Sequence, residues 1–422
     1  VAAGLCALCP SASAGDWDFT PNLTVEELFS DNVNLTQTDR ESDFITVIRP
    51  GFSLERKGGA RSHLSLDLAF DHTRYLRDKT RKDTTKTLNA EAGAEIYENV
   101  FFLDGMASIS QATVANTAGE SGTGVSDSGN RTELISASAN PNVRHHFRNW
   151  ADYRFDYVIS NVRVEDESID TTVTQRYGST LTSGREFAFL RWTAETRTQE
   201  TDHRGTDRKD ERRLAQFSMQ YVDRIVFQPT ASIGYEQIKD NTITEPPDGL
   251  IWSVGGVFQP GPRTSVQLSH GQRYGDPNSS LEASYKIGPK TTARINYSQV
   301  LETSQSLSLT ELTSPTANLS RPDTGFSLSN NAFRQSTFDA EIDAERGRDN
   351  YRIEVRWSER KTDADGSINT VQSVRASWTR DLTRKLSGTV DLTYRTTDFG
   401  PTQSRVDDFI TYRASLDYRL QS

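Results

Sequence analysis

From Trp150 to Ile159 the chain reads WADYRFDYVI, with Ala151, Tyr153, Phe155, Tyr157 and Ile159 on odd positions and Asp152, Arg154 and Asp156 between them. A period of two held without a slip belongs to a strand whose two faces meet different surroundings. The stretch also has the ~9–11 residues that carry a β-strand across a bilayer. A register slip of one residue would turn all three charges to the apolar side, and an arginine at the lipid midplane alone costs ~2–4 kcal/mol. The orientation of this segment is therefore strongly fixed.

The pattern recurs along the chain. Leu64, Leu66, Leu68 and Phe70 alternate with Ser65, Asp67 and Asp71, and Leu88, Ala90, Ala92, Ala94 and Ile96 share one face of another segment. About 20 such segments run to the C-terminus, with boundaries uncertain by ~2–4 residues. The first, Val25–Gln37, is the weakest. Short links at 98–99, 223–224, 261–263, 288–289 and 347–349 alternate with long polar ones at 76–86, 111–132, 161–171, 199–211, 239–249 and 301–333. Tight turns at one rim and long loops at the other are the two rims of a transmembrane barrel, and with both chain ends on the short-turn side the strand number is even. The sequence thus predicts an all-β fold: a closed transmembrane antiparallel β-barrel of about 18–20 strands, with short periplasmic turns and long extracellular loops.

Composition changes this picture little. A mean hydropathy of −0.65 and 25% charged residues suggest a soluble chain, but only every second residue of a barrel strand meets lipid. No apolar run approaches the ~18–20 residues of a spanning helix. Both cysteines, Cys6 and Cys9, fall in VAAGLCALCPSASAG, where Ala12-Ser13-Ala14 reads as the end of a secretory signal. The expected organisation is a signal-peptide remnant at 1–14, a periplasmic lead-in at 15–24 and an outer-membrane barrel at 25–422, free of cysteine as suits an oxidising compartment. Trp150, Tyr157, Trp192, Trp252, Trp357, Trp378, Tyr394 and Tyr418 are candidates for interfacial aromatic girdles.

Catalytic and metal-binding patterns are absent from the sequence. The six histidines are scattered, and His145-His146 lies in or beside a short turn. GTGVSD at 122–127 lacks the Lys-Ser/Thr of a phosphate loop. Asp363-Ala364-Asp365-Gly366 resembles part of a calcium loop, yet Lys361 stands where the first acid belongs. The acidic run Glu165, Asp166, Glu167 and Asp170 suits cations that bridge lipopolysaccharide, or simply a solvated loop. No catalytic, cofactor-binding or metal-ligating residue is nominated, and the chain is read as a non-enzyme with no nucleic-acid partner.

The charged faces point to a lumen. Asp339, Glu341, Asp343 and Glu345 share one face of a segment whose hairpin partner offers Arg352, Glu354 and Arg356. With a four-residue turn at 347–350, Glu345 pairs with Arg352 and Glu341 with Arg356. The candidate lumen-lining residues are Asp152, Arg154, Asp156, Arg191, Glu341, Glu345, Arg352 and Arg356. They serve either as salt-bridged wall residues or as the lining of a hydrophilic conduit. Any closure of a barrel this wide must come from long loops or a partner, and the connection from Leu301 to Asn331 is the best candidate for an infolded gate.

Trp17-Asp18-Phe19-Thr20-Pro21, Phe29-Ser30-Asp31-Asn32-Val33 and Ser42-Asp43-Phe44-Ile45-Thr46-Val47-Ile48-Arg49-Pro50-Gly51-Phe52 together resemble the PEP-CTERM system-associated outer-membrane barrel family, found with exosortase and exopolysaccharide biosynthesis clusters. The specific part covers 17–54, and it brings no catalytic residues. The resemblance implies an integral protein of the Gram-negative outer membrane, in contact with lipid and lipopolysaccharide. It further implies a pore that helps a surface exopolysaccharide cross, together with a periplasmic polysaccharide-export protein. A general diffusion porin, and a structural barrel or sheath around a partner complex, are the alternatives. One departure is the ending Tyr418-Arg419-Leu420-Gln421-Ser422, where such barrels commonly end on an aromatic residue.

Overall fold

The computed structural model describes residues 17–419 except 31–32, 34–40, 57–60, 78–81, 114–130, 167, 207, 224–225, 244, 308–325, 327 and 401–404. The expected signal remnant at 1–14, with both cysteines, and the Gly-rich stretch at 122–127 lie outside the described residues.

The strands, in chain order, are β1 (Trp17–Ser30), β2 (Asp43–Arg56), β3 (Ser62–Tyr75), β4 (Lys82–Tyr97), β5 (Phe101–Thr113), β6 (Arg131–Phe147), β7 (Ala151–Val164), β8 (Thr171–Ser183), β9 (Leu190–Arg204), β10 (Lys209–Tyr221), β11 (Phe227–Lys239), β12 (Asp248–Gly261), β13 (Thr264–Arg273), β14 (Asp276–Gly288), β15 (Thr291–Glu302), β16 (Phe333–Arg346), β17 (Asp349–Thr362), β18 (Ile368–Asp381), β19 (Leu386–Asp398) and β20 (Val406–Arg419). Each pairs antiparallel with its sequence neighbours, and β1 pairs with β20, so one 20-stranded sheet closes on itself. Closure removes the free edges that an open sheet would present.

The outer face is apolar. Ile233, Leu250, Val254, Ile353 and Val390 are each at least half exposed, while the residues between them along the strands face the interior. Leu64, Leu66 and Leu68 are shielded only laterally, Leu66 standing between Leu54 and Ala90 in the ladder. No second layer of protein covers them among the described residues. Trp150, Trp252, Trp378, Tyr394 and Tyr418 are all exposed, and Trp150 meets Trp192, which in turn meets Phe217, at one rim.

Strand boundaries differ from the sequence reading, most widely at two places. The lead-in expected at 15–24 is largely strand, because Trp17, Phe19, Leu23 and Val25 continue the outward alternation. Pro21, taken alone, argues against a strand. It sits just before Asn22, the first residue paired with β20, where a missing N–H is tolerated. The loop expected at 199–211 shrinks to 205–208, since β9 and β10 climb past the apolar belt. There the outward residues are charged and pair with one another, as in Lys209–Asp202 and Lys239–Glu211. Hydrogen-bonded ladders do not stop where hydrocarbon does, so apolar alternation underestimates strand length.

Short and long connections do not alternate as strictly as expected: 205–208, at the long-loop rim, is shorter than 184–189 and 222–226 at the other. β13 and β14 meet at the long-loop rim through Tyr274-Gly275 alone, both with positive φ of 57° and 80°. That pair is the geometry of a two-residue hairpin turn matched to strand twist. At 10 residues β13 is the shortest strand, so the wall is low at this point.

Candidate functional site

The interior has two zones. Toward the short-turn rim it is lined by ionic side chains in partial contact with solvent. Arg294 Nη1 lies 2.9 Å from Glu341 and 2.6 Å from Asp343, Arg352 lies 2.7 Å from Asp343, and Arg356 lies 2.6 Å from Asp339. Arg294 and Arg352 remain 48% and 45% exposed. Side chains that point into a closed barrel are this exposed only where the lumen beside them is open.

The eight sequence-nominated residues alternate along their strands with exposed apolar ones such as Phe155, Leu190, Ile342 and Ile353. The pairings differ from expectation. Asp343 faces Arg352 and Asp339 faces Arg356, while Glu341 faces Glu354 and Glu345 faces Asn350. The turn is the two residues Gly347-Arg348, with Gly347 at φ 66°, so the ladder starts two residues nearer the hairpin tip than a four-residue turn allows. Shifting by two keeps every side chain on its face and changes only its partner. Glu341 is held by Arg294 instead, a cation on β15 that the sequence reading passed over, and Glu345 lies 3.8 Å from Lys290. On the far wall, Arg154 and Asp156 are 4.0 Å apart and Asp152 bonds His146. His145, one residue away, packs against Phe147 on the outer face. Strand alternation thus splits the adjacent histidines.

Toward the long-loop rim the interior is packed. The connection between β15 and β16 turns inward at both described ends. Arg212 on β10 donates to the Leu301 carbonyl and pairs with Glu302 at 3.2 Å. Gln305, buried, donates to Asn330 Oδ1 at 3.0 Å. That same oxygen accepts from the Asp170 amide at 2.9 Å, and the Asn330 amide donates to the Ser168 carbonyl at 3.1 Å. Arg208 donates to the Asn330 carbonyl. Leu328 packs against Ala112, Leu134, Val162, Val164 and Ile169, contributed by β5, β6, β7 and the β7–β8 connection. A segment leaving β15 that touches the inner wall at β5–β7 has crossed the barrel mouth. The central residues of the expected gate, 308–325, lie outside the described residues.

Neighbouring connections hold these ends in place. Arg208 binds Asp210 at 3.0 Å and Asp240 at 3.2 Å, and Thr242, which donates to Asp240, accepts from the Ala332 amide. Ile243, Leu301 and Ala332 close over Tyr274 above the low wall at β13. Burial pushes the Tyr274 phenol up from its ordinary value, so it stays neutral. His203, with a fully buried side chain, stands between Asp210 at 2.6 Å and Asp170 at 3.4 Å. Arg360 is held over Phe333 and Phe326 at 3.7 Å and 4.3 Å.

Of the acidic run at 165–170, Glu167 lies outside the described residues, and the described acids do not converge. Asp170 turns toward His203, while the hydroxyl and amide of Ser168 hydrogen-bond Asp166 and hold its carboxyl below the usual range. Among the described residues no three acids, histidines or cysteines are grouped to hold a metal ion. Asp363-Ala364-Asp365-Gly366 is a loop tip in which Asp363 pairs with Arg334 and Asp365 caps Ser367. Sequence reasoning missed Arg208 and Asn330 because they meet partners far away in the chain, and His203 because its two acids are brought to it by strand register.

No protein-family model matches this chain, and no curated protein matches its sequence. Among solved structures, the siderophore receptor PirA from Acinetobacter baumannii is similar over 96% of this chain and 80% of its own, with TM-score 0.52 and 8% identity. The FrpB iron transporter from Neisseria meningitidis in its apoprotein form covers 96% and 81%, with TM-score 0.48 and 9% identity. OccAB4 from Acinetobacter baumannii covers 96% and 98%, with TM-score 0.42 and 10% identity. At these identities the PirA likeness speaks to fold alone, and it agrees with the sheet described above: the chain is an all-β, closed, antiparallel barrel of 20 strands.

Proposed function

We propose that this protein is an integral barrel of the Gram-negative outer membrane and conducts a hydrophilic cargo through its lumen. Surface exopolysaccharide is the cargo that the resemblance at 17–54 favours. The observation that carries the reading is the contrast inside the barrel: an ionic section open toward the short-turn rim, beneath a mouth packed by the ends of the β15–β16 connection. The outer apolar face with its exposed aromatics supports placement in lipid. A mouth packed this way suits a conduit that opens on demand better than a general diffusion porin. On this reading the short-turn rim faces the periplasm, where a polysaccharide-export protein would deliver the chain.

Planar-bilayer recording tests conduction. The wild-type barrel should stay closed or open only briefly, and Asn330→Ala, which removes the hydrogen bonds joining Gln305, Asp170 and Ser168, should conduct steadily. If neither conducts, the conduit reading fails, and steady current through the wild type would favour the diffusion porin. A deletion strain that keeps its full surface polysaccharide would remove the export reading.

A further inference from the structure

The two ionic walls of the lumen differ in how their arginines are satisfied. On β16–β17, Arg352 and Arg356 each face an aspartate directly across the ladder. On β7–β9, almost diametrically opposite in the 20-stranded ring, no arginine has an acid in register. Arg154 faces Arg144 and Thr180, Arg176 faces Val158 and Gln199, and Arg197 faces Gly178 and Leu214. Like charges directly opposite one another destabilise a sheet, so the Arg144–Arg154 pair costs the fold something.

The carboxylates near these arginines engage two of them and leave the third, Arg176. Glu195 pairs with Arg197, and Asp156 stays 4.0 Å from Arg154. Asp156 lies flat over Gly178, where a Cβ would come within 2.8 Å of both its oxygens. The charges acting on Arg176 are Arg197, Asp156, Glu195 and Arg154. Among the described residues, none of the carboxylates reaches ion-pair distance of Arg176, although it is half-buried and faces the lumen. Arg144 is satisfied otherwise, by Asn142 at 3.1 Å and the ring of Phe102.

We propose that Arg154, Arg176 and Arg197 form an oxyanion subsite in the lumen wall, which takes the carboxylate or phosphate groups of a polyanionic cargo. An oxyanion seated there completes the bidentate hydrogen bonds that Arg176 lacks within the chain. The wall opposite, where the inward Asp339, Glu341, Asp343, Glu345 and Glu354 outnumber Arg294, Arg352 and Arg356, disfavours the same groups and keeps them on the arginine side. This rests on the conduit reading and adds the chemical class of its cargo.

Calorimetric titration of the full barrel in detergent tests it, with oligogalacturonate as the carboxylate probe, inorganic polyphosphate as the phosphate probe and maltoheptaose as the neutral one. Wild type should bind at least one polyanion and not maltoheptaose. Arg176→Gln and Arg154→Gln should each weaken binding by about tenfold or more, while Arg352→Gln, on the opposite wall, should not. Binding of oligogalacturonate alone assigns uronate-type groups, and binding of polyphosphate alone assigns phosphate. The subsite is overturned if wild type binds neither polyanion, or binds them as well with Arg176 replaced. Should Arg176→Gln fail to fold, Arg154→Gln decides between the same two outcomes. A barrel that conducts but binds anions independently of Arg176 refutes the subsite alone, whereas Arg176-dependent binding by a barrel that never conducts refutes the conduit.

Discussion

Asp343 Oδ1 accepts a hydrogen bond from Arg352 Nε at 2.7 Å, straight across the β16–β17 ladder. That contact marks the hairpin register set by the turn. It requires a two-residue turn, it hands Glu341 to Arg294, and it leaves Glu345 at the rim with Lys290. The inner wall on this side is a three-strand ionic belt rather than an isolated hairpin pair.

A double-mutant cycle reads that register. Asp343→Ala with Arg352→Ala should show a coupling of about 0.2–1 kcal/mol in urea unfolding from detergent, the range for solvent-accessible ion pairs. Glu345→Ala with Arg352→Ala should show none. The opposite ranking would restore the four-residue turn.

Gly347 has φ 66°, a conformation that costs an L side chain about 1–2 kcal/mol. Gly347→Val should therefore lower unfolding stability by about that amount without altering the ion pairs. Gly205, at φ 100°, lies further from what an L side chain adopts, so Gly205→Val should cost at least as much in the same assay.

The bilayer test needs only two neighbouring positions. Ile353 is 51% exposed on the outer face, and Ile353→Arg should cost ~2–4 kcal/mol in vesicle folding assays. Glu354 points inward, between Glu341 and Arg375 and beside Arg356, so Glu354→Gln, which keeps a polar side chain in the lumen, should cost about 1 kcal/mol or less. Equal penalties would mean that the outer face does not meet hydrocarbon.

His203 ties β9 to Asp170 and Asp210 within the packed mouth. Replacing it by leucine leaves two largely buried acids short of a partner, at a cost of about 2–3 kcal/mol. The loss should be local: limited proteolysis should begin to cut within 165–170 while the heat-resistant mobility of the barrel on gels persists. Unchanged proteolysis would show that the mouth is held without it.

Much of this architecture is legible in the sequence because a barrel strand obeys one local rule. Tyr153, Phe155 and Tyr157 against Asp152, Arg154 and Asp156 state which medium each face meets, and period two leaves no freedom once that is stated. The even strand number follows from the same local reading. Trp17 to Thr24 escaped it because Pro21 is a poor strand former whose position at the seam is known only once β20 is in place.

What the tertiary structure alone decided is which residues meet. Whether Arg352 faces Asp343 or Glu345 depends on turn length, and both registers keep the same face. Asn330, Gln305 and Asp170 converge only because the chain leaving β15 crosses the mouth. The isolation of Arg176 exists only because β7 and β9 bring Val158 and Gln199 beside it. Sequence patterning determines the side of the wall on which a residue stands, since that is set by solvent. Its partner is set by register and by contacts distant in the chain, which no local pattern encodes.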